Sequence, residues 1–71
     1  MKKKAIEIFG TYEGFERVIG FNDYCQVHLL FGSTVNKNDL EKMNCDFSIG
    51  TNYVQDKAMI IIEFFSDDFT E

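Results

Sequence analysis

The chain of 71 residues contains no proline, and no Ser-rich or Gly-rich stretch interrupts it. Linkers and low-complexity segments are marked by such composition. The sequence therefore reads as a single domain over 1–71, with 66–71 as a short acidic C-terminal tail, and shows no internal repeat. Cysteine is scarce as well. Cys25 and Cys45 are too few for a disulfide scaffold, and both are expected as free thiols. Long apolar runs are missing: the longest, AMIII at 58–62, falls far short of the roughly 20 residues of a membrane helix. The start, MKKKAIEIFG, has the basic residues of a signal peptide without its apolar centre, because Glu7 and Gly10 break the run. A cytoplasmic protein with no membrane partner is the expectation.

Positive charge is the next shortage. The net charge is −5, and Lys2, Lys3 and Lys4 supply three of the seven basic residues. From Ala5 onward, Arg17, Lys37, Lys42 and Lys57 stand against twelve acids, a body charge of −8. Neutralising phosphates with Lys and Arg drives most protein–nucleic acid affinity, so direct nucleic-acid binding is not expected. A protein partner with a basic surface matches the field better.

The usual carriers of chemistry are absent too. Glycines 10, 14, 20, 32 and 50 never approach a dinucleotide or phosphate-loop spacing, so no nucleotide cofactor is implied. NKNDLE lacks the spacing of a calcium loop and reads as a helix cap. Cys25 and His28 are spaced C-x-x-H, and Cys45-Asp46 could complete a metal set, yet residues three apart on a strand point to opposite faces. The same parity argues against a Cys–His nucleophile pair, which needs a base within hydrogen-bond reach. His28 is read as a surface or interface residue and Cys25 as a small core residue. No catalytic residue, metal or cofactor is assigned, and an enzyme is not expected.

What the chain does have is hydrophobic bulk: 45% of its residues, with eight Phe and three Tyr. A domain this small buries only about 60% of its unfolded surface, and large aromatic rings partly offset that. The clearest pattern lies in DFSIGTNYVQDKAMIIIEFF, 46–65. A two-residue loop at Gln55-Asp56 pairs Val54 with Lys57, Tyr53 with Ala58, Thr51 with Ile60, Ile49 with Ile62 and Phe47 with Phe64. That register collects Phe47, Ile49, Tyr53, Ala58, Ile60, Ile62 and Phe64 on one core face, and a one-residue slip would turn them all away. A second hairpin over FERVIGFNDYCQVHLLF turns at Asn22-Asp23, residues that tolerate positive φ. It sets Val18 against Val27, Gly20 against Cys25 and Glu16 against Leu29 on the core face. The other face carries Phe15, Arg17, Ile19, Phe21, Tyr24, Gln26 and His28, the aromatic-plus-arginine mixture enriched at interfaces.

Upstream, KKAIEIF reads as a strand and GTYEG as its turn; downstream, Asn38 with Glu41 forms a capping box that opens a short helix to about Asn44. The order is β-β-β-α-β-β. The expected class is α+β, a small antiparallel sheet of about five strands with one short helix packed on it, with a small curled β-barrel as the alternative.

By elimination the sequence points to a small acidic protein-binding module. Size and charge match inhibitors, immunity proteins and phage-encoded antagonists, an analogy with no motif behind it. Candidate partner-binding residues are Phe15, Arg17, Phe21, Tyr24, Glu63, Asp67, Asp68 and Phe69. Two alternatives stand beside it. In one, Glu63, Asp67, Asp68, Glu71 and Asp46 imitate phosphates in the basic groove of a nucleic-acid enzyme such as a host defence nuclease. In the other, the chain is a homodimer or larger accessory subunit that hides its sheet edges by self-pairing. Asp67 and Asp68 also read simply as the charged end of a strand, and Phe69 as the residue of the tail that such a reading leaves unused.

Overall fold

The structure is a computed structural model that describes residues 2–65. The tail, with Asp67, Asp68, Phe69 and Glu71, lies outside the described residues. Six elements follow in order: α1 (Lys2–Phe9), β1 (Phe15–Gly20), β2 (Tyr24–Leu30), α2 (Lys37–Lys42), β3 (Asp46–Val54) and β4 (Lys57–Phe65). The strands form one antiparallel sheet in the order β1-β2-β4-β3. The α+β class stands, with four strands and two helices in place of five and one, and the sheet is open rather than closed into a barrel.

The segment expected as a first strand is α1. Its apolar residues serve two periodicities, since Ile6 and Ile8 alternate as in a strand while Ala5 and Phe9 are four apart as in a helix. Packing decides between them: Ala5 and Phe9 are fully buried on the sheet, and Ile6 is left outside. Lys, Ala and Glu are good helix formers and oppose nothing. Burying a Phe side chain contributes about 1.5–3 kcal/mol, and the ring of Phe9 sits 5.7 Å from that of Phe64 on β4.

Helix α2 begins two residues earlier than its strongest sequence signal. Asn36, not Asn38, is the N-cap, its side chain accepting the Asn38 N–H at 2.9 Å. A long-range anchor selects this choice. The Tyr12 hydroxyl donates to Asp39 Oδ2 at 2.7 Å and accepts the Asn36 N–H at 3.0 Å, tying the cap to the α1–β1 connection. The Asp39 hydrogen bond from Tyr12, with Lys42 beside it, lowers the Asp39 pKa. At the other end Asn44 takes a positive φ of 56°, where Asn is tolerated and the helix stops.

The β3–β4 hairpin has the expected register throughout, from Val54↔Lys57 to Phe47↔Phe64. The β1–β2 hairpin follows its expected register from Gly20↔Cys25 to Arg17↔His28, then departs. A bulge between Phe15 and Arg17 inserts a residue, so that Phe15 pairs with Leu29 and turns toward the helix side. There Phe15 packs against the core formed by Ala5, Phe9, Cys25, Val27, Leu29, Leu40, Met43, Ile62 and Phe64. Its assignment to the partner-binding face is thereby corrected.

A second correction concerns depth. Phe47, Ile49 and Tyr53 are on the helix side as expected, but they are 44%, 48% and 75% exposed and do not belong to the core. The helices lie over β1, β2 and β4, and β3 projects past them.

Both residues of the β3–β4 loop, Gln55 and Asp56, hold positive φ, 51° and 65°. That is the type I′ geometry, in which Asn-Gly is preferred and a Gln side chain is strained. Replacing Gln55-Asp56 by Asn-Gly is expected to stabilise the fold by about 1 kcal/mol, measured by urea unfolding at neutral pH; an unchanged or lower midpoint would contradict the turn assignment.

Candidate binding face

The sheet has two faces, and among the described residues helices cover only one. On the other, the strand registers lay out side chains in rows running β1-β2-β4-β3. Phe21, Tyr24, Phe65 and Asp46 form the first; Ile19, Gln26, Glu63 and Ser48 the second; Arg17, His28, Ile61 and Gly50 the third. Beyond these, Met59 is buried beside Leu30, and an ion pair of 3.8 Å from Lys57 on β4 to Glu16 on β1 spans β2.

The first row is a run of stacked rings. Phe21 and Tyr24 lie 4.4 Å apart with planes 9° from parallel, and Tyr24 and Phe65 are 5.9 Å apart at 30°. The tight Asn22-Asp23 turn holds Phe21 in place, its N–H donating to the Tyr24 carbonyl at 2.8 Å. The outer rings remain 43% and 41% exposed. The result is a preorganised aromatic surface still in contact with water.

Behind it runs a polar chain across three strands. An arginine has only donors, so Arg17 Nη1 donates to His28 Nδ1 at 3.3 Å. His28 Nε2 must then carry the ring proton, and it donates to Gln26 Oε1 at 3.0 Å. Gln26 Nε2 in turn donates to Glu63 Oε2 at 2.8 Å. Each role follows from the one before, and together they require a neutral imidazole. Burial first, and the Arg17 charge second, hold the His28 pKa below its ordinary 6.5. His28 is only 4% exposed, which corrects its reading as a surface residue.

Compared with models of known protein families, with curated proteins and with solved structures, the chain matches none.

Both ring nitrogens of His28 are engaged, so it offers neither a free lone pair to a substrate nor a free proton. Cys25 lies on the opposite face of β2, buried in the core. Burial raises its pKa, with Cys45 adding to the effect, and burial followed by Asp46 raises that of Cys45. Thiols kept protonated are poor nucleophiles. Among the described residues no group of three or more His, Cys, Asp or Glu is placed to hold a metal ion.

Of the residues named from sequence, Arg17, Phe21, Tyr24 and Glu63 share this face, Phe15 does not, and Asp67, Asp68 and Phe69 fall outside the described residues. Of the acids considered as phosphate mimics, Asp46 is exposed one row from Glu63, whose carboxylate is tied to Gln26. Gln26, set on this face by the parity of the first hairpin, and Phe65, set opposite Asp46 by the register of the second, join them. Their place beside Glu63 and Tyr24 depends on the β2–β4 pairing, which no local pattern announces.

The neutral His28 makes a pH prediction. Its folded pKa is depressed, so between 6.5 and that lower value the unfolded chain binds a proton that the folded chain does not, and stability falls as pH drops through this window. Unfolding free energy is expected to decline below about pH 6.5, before carboxylates titrate, and His28→Gln should flatten that part of the profile. A profile of the same slope in His28→Gln would refute the assignment.

Proposed function

We propose that this protein is a non-catalytic binding module that covers a surface of another protein with the helix-free face of its sheet. The observation that carries this reading is the stacked Phe21, Tyr24 and Phe65 row, ordered yet wet, at the end of a face that also displays Arg17 and Glu63. Rigid aromatic side chains lose little entropy on association and are the residues that dominate binding hot spots. Polar groups behind the row are already paired with one another, so a partner need not satisfy them. The acidic body favours a partner with basic groups around the contact, and such blocking of a surface is the action of an inhibitor or antagonist.

The test compares affinity capture by tagged wild-type protein, Phe21→Ala, Tyr24→Ala and a control, Lys37→Ala on α2, from extracts of the source cell. A stoichiometric protein retained by wild type and control but weakened about 30-fold or more in either alanine variant is expected for a hot spot. Capture that survives both alanine changes, or no stoichiometric protein at all, would sink the proposal. Binding that instead collapses with modest salt while ignoring Phe21→Ala would turn the reading toward phosphate mimicry by the acids.

A further inference from the structure

The sheet has two edges, and they are built differently. β1 is broken by the bulge at Phe15–Arg17, carries Glu16 and Arg17, and packs beneath α1. These are the devices by which natural sheets guard an edge. β3 has no bulge and no helix over it, and its one charge, Asp46, stands at its end. It runs nine residues in unbroken register with β4, is exposed along its length up to Val54, and has no charge between Phe47 and Val54. Among the described residues nothing pairs with its outer side.

The outward hydrogen-bonding groups can be identified. The two-residue loop makes Val54↔Lys57 a hydrogen-bonded pair, and alternation then turns the N–H and C=O of Phe47, Ile49, Thr51 and Tyr53 away from β4. Two contacts agree. The carbonyl of Ala58, opposite Tyr53, is used on its far side by the Phe31 N–H at 3.1 Å, and the Tyr53 N–H is held by Asn52 Oδ1 at 2.8 Å.

The same edge is chemically palindromic. Outward from Gly50, the midpoint of β3, Ile49 is answered by Thr51, Ser48 by Asn52 and Phe47 by Tyr53: branched with branched, polar with polar, aromatic with aromatic. Asp46 is answered by Val54, so the strand's one acid does not meet its own copy. An isologous interface requires that residue i meets j while j meets i. Antiparallel pairing of β3 with itself about Gly50 satisfies this over the whole strand. Once the Asn52 side chain releases the Tyr53 N–H, it makes hydrogen-bonded pairs of Phe47 with Tyr53 and of Ile49 with Thr51, and it brings the two Gly50 residues together as a non-hydrogen-bonded pair, whose Cα atoms approach to about 4.5 Å. Gly50 otherwise lacks a purpose: its φ is not in the left-handed region, and a Cβ there would meet nothing within 4 Å. Mid-strand glycine costs roughly 0.5–1 kcal/mol, and close backbone approach at a two-fold axis is a reason to keep one.

We propose that two copies of the chain pair antiparallel through β3 about a two-fold axis at Gly50, forming one continuous eight-stranded sheet. The palindrome selects a second copy over a foreign strand, because only a self-pair uses it. The uncharged edge also lets two chains of net charge −5 approach without facing acids. This surface is separate from the aromatic row, so either proposal can fail alone.

Sedimentation of the full chain at micromolar concentration is expected to give twice the 8.3 kDa chain mass. Thr51→Pro removes an outward N–H while leaving the β3–β4 ladder intact, a position where edge strands accept proline, and should halve the observed mass with a cooperative melt retained. Register is tested by cysteine pairs in a Cys45→Ser background. Gly50→Cys should link two chains under mild oxidation, whereas Ser48→Cys should not, its two copies lying four residues, roughly 13 Å, apart in this register. Should Thr51→Pro not fold, the cysteine pair decides. A single-chain mass for wild type, a doubled mass persisting in folded Thr51→Pro, or equal linking of Ser48→Cys and Gly50→Cys would each overturn the proposal.

Discussion

Everything in this fold depends on the pairing of β2 with β4. It joins two hairpins that are otherwise separate, over a register running from Tyr24↔Phe65 to Leu30↔Met59. Hairpins on their own are marginal in water. The pairing makes them stable by bringing together the most apolar strands of each half, so that Cys25 and Phe64, and Val27 and Ile62, form the fully buried floor on which Phe9, Leu40 and Met43 sit. It also builds the opposite face in the same act, since a strand that turns Val27 inward must turn Gln26 and His28 outward. The aromatic row and the polar chain are therefore by-products of the register that makes the core.

Burying a histidine beside an arginine is unfavourable unless every polar atom finds a partner. The chain from Arg17 to Glu63 solves this by direction. Donors and acceptors run one way, from a guanidinium that can only donate to a carboxylate that can only accept, with His28 and Gln26 passing the polarity between them. No buried side-chain nitrogen or oxygen among the described residues lacks a hydrogen bond. The two charges at the ends are partly exposed and are not in contact, so the chain links opposite charges through neutral groups instead of burying an ion pair, whose desolvation is costly.

Both hairpins were legible in the sequence because their registers are set locally, by a two-residue loop and an alternation of period two. The bulge that redirects Phe15 was not, because it leaves no mark on composition or spacing. Helix α1 is ambiguous in sequence for a different reason: over eight residues the two periods fit almost equally well, and the choice falls to Phe9 docking against Phe64. The N-cap at Asn36 was displaced from Asn38 by Tyr12, 24 residues away. Parity in the first hairpin was enough to place Arg17, Phe21 and Tyr24 on one face. It could not show that Gln26 would meet Glu63, or that β3 would lie beyond the helices, because both depend on how the halves join.

The two halves share an order, helix-strand-strand, that no sequence repeat announces, and the strand order β1-β2-β4-β3 reads the same when the halves are exchanged. The sheet thus has an approximate two-fold relation at the β2–β4 junction. It is broken at the edges: α1 has eight residues and lies over β1, whereas α2 has six, and β3 is left uncovered. One half therefore closes its edge and the other leaves it available. A true two-fold at β3 would stand perpendicular to the sheet, as pairing of antiparallel edges requires, and would keep both helix-free faces on one side. The two aromatic rows would then be presented together, at opposite ends of one eight-stranded surface. For a partner that is itself symmetric or repetitive, that arrangement makes the second contact intramolecular, and its strength follows effective concentration rather than any added contact. The shortness of α2 would thus connect the edge to the face: with β3 left free, pairing there would set the spacing at which two aromatic rows are displayed.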